Sequence, residues 1–183
     1  MYLPFRAPGR PIALVGLMGV GKTTVGRRLA IRLKRAFVDA DDAVAEAAGR
    51  PVPDIFSDFG EAAFRDGERK VIARLVEEPE PLVLALGGGA FVDPDTRALL
   101  KAKAVTIWLK ADLDTLMERV GRKPGERPLL NAPDPRAVME RLMASRESAY
   151  AEADIAVSSE TGSHDATVEK VLAALAEREA QAR

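Results

Sequence analysis

The chain has 183 residues, 47% hydrophobic and 30% charged, with a formal net charge of −1. This balance describes one water-soluble domain, long enough for a sheet covered on both faces, and offers no electrostatic reason to expect nucleic acid as a partner. The absence of cysteine excludes disulfides, thiolate nucleophiles and zinc–thiolate sites, and no apolar run spans a bilayer, so a cytoplasmic protein without a membrane partner is expected.

Residues 1–11 contain Pro4, Pro8 and Pro11 without a signal-type apolar core and read as a lead-in. The apolar run 12–15 predicts a buried strand. Directly behind it stands Gly16-Leu-Met-Gly19-Val-Gly21-Lys22-Thr23, which fits the phosphate-binding loop Gly-x-x-x-x-Gly-Lys-Ser/Thr. A helix is expected over 22–33, so backbone N–H groups and the positive end of the helix converge on one anion. Lys22 is expected to reach the phosphates and the Thr23 hydroxyl to ligate Mg²⁺. Gly19, Val20, Gly21, Lys22, Thr23 and Thr24 are the candidate nucleotide contacts, and the expected ligand is a nucleoside triphosphate. Arg27, Arg28, Arg32 and Arg35 further along read as a solvated helix face.

A second strand is expected over 36–38, with Asp39 and Asp41 flanking Ala40 at its end. In extended chain, residues two apart point the same way, which would turn both carboxylates into one pocket. A magnesium–nucleotide site needs a carboxylate near the metal, and a kinase needs an acceptor for the attacking hydroxyl. The other reading is capping by Asp41 or Asp42 of a helix over 42–48. About forty residues then precede the third strand, helical around 54–59 and 60–77. That exceeds a minimal crossover and predicts a subdomain over the sheet edge.

The third strand, 82–86, runs into Gly87-Gly88-Gly89. Three glycines would lay bare backbone against a ligand, or else mark a plain exit from the strand. This strand has no terminal aspartate, which leaves Thr23 and Asp39 as the candidate metal pair. A helix over 95–101, a strand over 105–109 with Trp108 in the core, and a helix over 113–120 come next. Residues 121–133 are rich in proline, glycine and charge and include Arg127, the composition of a lid. A helix over 135–151, started by Pro135 and carrying Arg146, leads to a strand over 155–157 and a helix over 165–177. Arg65, Arg127 and Arg146 could grip an anionic substrate with planar forks, although each taken alone reads as a surface arginine. His164 reads as a surface residue. Buried runs alternating with helices predict an α/β fold with a parallel sheet in a single domain. No exposed apolar seam stands out, so a monomer is expected.

In combination these pieces resemble the shikimate kinase family over nearly the whole chain, from about Ile12 to the final helix. The resemblance is carried by Gly-Leu-Met-Gly-Val-Gly-Lys-Thr-Thr, Asp39-Ala-Asp41, Phe56 with Phe64-Arg65, Gly87-Gly-Gly89-Ala, Glu126-Arg-Pro-Leu-Leu130 and Met143-Ala-Ser-Arg146. It implies a P-loop kinase fold, its five-stranded parallel sheet ordered two-three-one-four-five and flanked by helices, with a substrate-binding region over 40–78 and a lid over 121–133. The implied activity is transfer of the γ-phosphoryl of ATP to the 3-hydroxyl of shikimate, with Mg²⁺, on the route to chorismate and the aromatic amino acids. By the same resemblance Asp41 would hold and activate the acceptor hydroxyl, Arg65 and Arg146 would bind the substrate carboxylate, and the backbone of Gly87, Gly88 and Gly89 would line the ring. Lys22 and Arg127 would reach the phosphates, and Phe56 and Phe64 would wall the pocket.

The chain departs from the family pattern at Ala45, where a glutamate is frequent, leaving Glu61 or Glu68 to support the substrate arginines. Ala85 stands where some relatives carry serine, and 158–164 lacks an Arg-Pro pair found near adenine in some. Arg119 and Arg122 both remain candidates to stack on the base. Two other readings are a gluconate kinase, which would not be expected to combine the triple glycine with Phe64-Arg65 and Arg-Pro-Leu-Leu, and a non-catalytic kinase-like sensor. The sensor reading sits poorly with intact Lys22, Thr23, Asp39, Asp41 and Arg127, and with only about ten residues before the first strand.

Overall fold

The computed structural model describes residues 8–122, 128–159 and 162–181. Its first strand, β1 (Ile12–Val15), is followed by α1 (Lys22–Leu33), β2 (Phe37–Asp39), α2 (Ala40–Ala48) and α3 (Val52–Val76). Next come β3 (Val83–Ala85), α4 (Pro94–Lys103), β4 (Val105–Lys110) and α5 (Leu113–Gly121). A short 3₁₀ turn at Pro128–Leu130, α6 (Pro135–Tyr150), β5 (Ile155–Ser158) and α7 (His164–Gln181) complete the order.

All strand pairs are parallel, and the sheet order is β2-β3-β1-β4-β5. Every residue of β1 is buried, Ile12 and Leu14 fully so. Neighbouring residues of a strand face opposite sides, so helices must cover both faces. The path from β1 to β2 runs one way along the sheet and that from β3 to β4 runs the other. Right-handed crossovers therefore send α1 and α4 to opposite faces, and the adjacent ends of β1 and β3 open a crevice between them.

Not every strand is buried on both sides. The edge strands β2 and β5 are only half-covered, and Ala156 of β5 is exposed, because an edge has one neighbour and shorter flanking cover. The region between β2 and β3 is helical as expected, and α3 bends where Gly60 leaves helical geometry at φ 80°, ψ 173°. Glycine enters that region without steric cost, so the bend sits where the sequence permits it. The arginines of α1 are less solitary than a solvated face implies. Arg28 pairs with Asp165 and Arg32 with Glu169 of α7, while Arg27 stacks on Phe37. No helix among the described residues is long and apolar enough to cross a membrane.

Candidate active site

At the end of β1 the chain turns through Gly19 at φ 82° and Gly21 at φ 100°. Both positions also lack room: a Cβ on Gly19 would stand 2.8 Å from Val120, and one on Gly21 would stand 3.1 Å from the His164 ring. No side chain caps the N-terminus of α1 at Gly21, which leaves its first N–H groups for an anion. Lys22 folds back on its own loop, its Nζ donating to the carbonyls of Gly16 at 2.7 Å and Leu17 at 2.9 Å. The Thr23 hydroxyl donates to Asp39 Oδ2 at 3.0 Å.

The two aspartates reach the cleft differently from the extended pair that the spacing predicts. Asp39 ends β2 and caps α2, its Oδ1 accepting from the Asp41 backbone N–H at 3.1 Å. Asp41 already lies in the first turn of α2. The capping role thus belongs to Asp39 rather than to Asp41 or exposed Asp42, and the same carboxylate turns its other oxygen to Thr23. Burial, and then the neighbouring Asp39, raise the Asp41 pKa above the ordinary carboxylate value, with Lys22 and Arg65 opposing.

Three glycines after β3 form a floor on which three charged side chains rest. A Cβ on Gly87 would lie 2.8 Å from Asp41 Oδ1, and one on Gly88 would lie 2.8 Å from Arg146 Nη1. On Gly89 it would overlap the Arg65 guanidinium. The missing side chains are what let α2, α3 and α6 bring one carboxylate and two guanidiniums to a single strip of backbone. Arg65 is held from behind by Glu68 at 2.6 Å and more distantly by Glu61 at 3.7 Å, and it lies over the Phe64 ring. Of the two candidate supports, Glu68 is the buried one, 1% exposed, and its Oε1 has no hydrogen-bond partner among the described residues. Burial raises the Glu68 pKa, while Arg65 opposes the shift. Phe64 is buried against Phe56, their ring centres 4.4 Å apart.

These groups border a cleft of about 530 Å³ lined by Lys22, Thr23, Thr24, Asp39, Asp41 and Gly87 together with Gly88, Gly19 and Gly21. Arg65, Arg146 and Gly89 adjoin it around the glycine floor. Val20 is buried beneath the loop, its carbonyl accepting from Arg119 and from the Ser159 hydroxyl. Arg119 and Arg122 both line the cleft. Arg119 is tied to the loop from below, whereas Arg122 is exposed and paired with Glu118. Arg127 lies outside the described residues, as does most of the charged heart of the 121–133 segment.

His164, expected at the surface, is half-buried at the rim of the cleft. It opens α7, lines the same cleft and covers Gly21. Burial, then Arg119 and Arg28, lower its pKa, which favours the neutral imidazole. The available signal was positional: in a parallel sheet the loop after β5 ends on the same rim as the phosphate loop.

The family described as Shikimate kinase matches residues 18–176 of this chain. A shikimate kinase of Caulobacter vibrioides is 55% identical over 172 residues, 94% of this chain and 84% of the relative. One of Novosphingobium aromaticivorans is 51% identical over 173 residues, 93% of this chain and 89% of the relative. Among solved structures, shikimate kinase from Acinetobacter baumannii in complex with shikimate superposes with a TM-score of 0.87 at 33% identity, covering 93% of this chain and 94% of that one.

Proposed function

Because the chain belongs to the shikimate kinase family, we propose that it transfers the γ-phosphoryl group of ATP to the 3-hydroxyl of shikimate, giving shikimate 3-phosphate and ADP. The observation that carries this reading is the glycine floor, where Asp41, Arg146 and Arg65 each rest on one of Gly87, Gly88 and Gly89. A ring bearing hydroxyls and one carboxylate needs that set: a hydrogen-bond acceptor for hydroxyls and a pair of planar cations for the carboxylate.

The hydroxyl oxygen attacks the γ-phosphorus, the bond from that phosphorus to the β–γ bridging oxygen breaks, and ADP departs. Asp41 takes the hydroxyl proton, a task helped by a carboxylate pKa raised through burial. The phosphates lie on the N-terminus of α1, and Lys22 exchanges the loop carbonyls for them. Thr23 and Asp39, already 3.0 Å apart, form the oxygen-only donor pair that suits Mg²⁺. When bound, the ion neutralises charge on the phosphates. Arg127 is assigned to the same task from the lid, whose closure would keep water from competing with the sugar-like hydroxyl. All groups of the proposed site come from one chain, so a monomer suffices, and a cytoplasmic setting with no nucleic-acid or membrane partner remains the expected one.

The test is ADP formation from MgATP with shikimate, with gluconate and with neither. Release that requires shikimate supports the assignment. Release with gluconate alone keeps the fold and replaces the substrate, and no acceptor-dependent release favours the sensor reading.

A further inference from the structure

Tyr150 ends α6 and is 2% exposed, although its phenol is polar. A buried hydroxyl without a partner is costly, so where this one goes is informative. It donates to the carbonyl of Gly88, 62 positions away in sequence. A Cβ on Gly88 would stand 3.6 Å from that phenol oxygen and 2.8 Å from Arg146 Nη1, so hydroxyl, guanidinium and glycine backbone meet at one point. Arg146 lies one helical turn before Tyr150 on α6, and its positive charge opposes the rise that burial gives the phenol pKa. The other side of the ring is fixed by Trp108 of β4, with ring centres 5.9 Å apart.

We infer that Tyr150 is a positioning residue for the acceptor: its hydroxyl clasps the Gly88 backbone and steadies Arg146, so that floor and carboxylate fork keep one spacing. The inference rests on the proposed assignment of Arg146 and Gly88 to the acceptor. Burial raises the phenol pKa, which keeps the proton on the oxygen that donates it at neutral pH. Trp108 supplies the rigid wall. Without the hydroxyl the ring stays, but the Gly88 carbonyl loses its donor and the guanidinium loses its stop.

Tyr150→Phe keeps the ring against Trp108 and removes only the oxygen. The expected result is a shikimate KM raised about tenfold, the effect of one buried hydrogen bond lost, with the ATP KM within twofold of wild type and the melting temperature lowered by roughly 2–6 °C. A shikimate KM within twofold of wild type overturns the inference. Equal rises in both KM values also overturn it, since they mark a packing role rather than one at the acceptor. A second measurement needs no substitution at Tyr150. The chain has two tyrosines, Tyr2 and Tyr150, so 3-fluorotyrosine gives two ¹⁹F signals, assigned by Tyr2→Phe. Shikimate should shift the Tyr150 signal, and an unmoved signal at saturating shikimate overturns the clasp. Wild-type ADP formation with shikimate is measured alongside, and its absence would mark failure of the substrate assignment instead.

Discussion

On its proposed phosphate side the cleft is one continuous stretch of chain, residues 16–24, whereas its proposed acceptor side draws Asp41 from α2, Arg65 from α3, three glycines from beyond β3 and Arg146 from α6. In the proposed assignment the phosphate side would bind with backbone N–H groups, and its shape is set locally by Gly19 and Gly21 at positive φ. The proposed acceptor side would bind with long charged side chains, whose freedom has to be restrained from outside. Glu68 pairs with Arg65 from behind, and Tyr150, bonded to the Gly88 carbonyl, is inferred to do the same for Arg146. A loop can preorganise itself for an anion that many ligands share, but recognition of one particular acceptor requires elements that meet only in the folded chain.

If the division holds, substitutions on the two sides separate kinetically. The largest effect should come from Lys22→Ala, which lowers kcat about a thousandfold in steady-state assays while leaving the shikimate KM nearly unchanged. Arg127→Ala should lower kcat on the order of a hundredfold, and a near-normal kcat would remove this residue from the phosphate side. Arg65→Ala should raise the shikimate KM about thirtyfold, consistent with loss of one charge-assisted contact. A change confined to the ATP KM would place Arg65 on the wrong side.

The smallest effect sharpens the comparison through stability. Asp41 has a raised pKa in the folded chain, so folding is favoured by protonation, and its contribution is fully present below the unfolded pKa and lost as pH rises through the folded one. Asp41→Asn removes the buried charge. It should therefore melt slightly higher than wild type at pH 7, with the difference shrinking toward pH 4, even as activity falls. A lower melting temperature for the variant at pH 7 would mean that the ionised Asp41 carboxylate stabilises the fold instead of opposing it.

Much of the site was legible because it is written in local chemistry. A glycine pattern behind an apolar run specifies a phosphate loop whatever surrounds it, and Gly87-Gly88-Gly89 after a buried strand announces a close approach. Other features were not local. Asp39 and Asp41 share a pocket, but through a cap and a first helical turn rather than an extended strand, since the boundary between β2 and α2 is decided by the hydrogen bond from Asp41 N–H to Asp39. His164 looked like a surface residue because its sequence neighbours are polar. Its exposure is set instead by Gly21, which lies about 140 positions earlier and has no side chain to keep the ring away.

By itself, the sequence determined the alternation of strands and helices, the phosphate loop and the residue types available for an anionic acceptor, because periodicity and backbone freedom act over a few residues. Only the tertiary structure decided which charge stands on which glycine, that Glu68 and not Glu61 is the buried partner of Arg65, and that Tyr150 reaches Gly88. Those pairings depend on the crossing of distant helices over one sheet, and a hydrogen bond across 62 positions leaves no periodic trace in the chain.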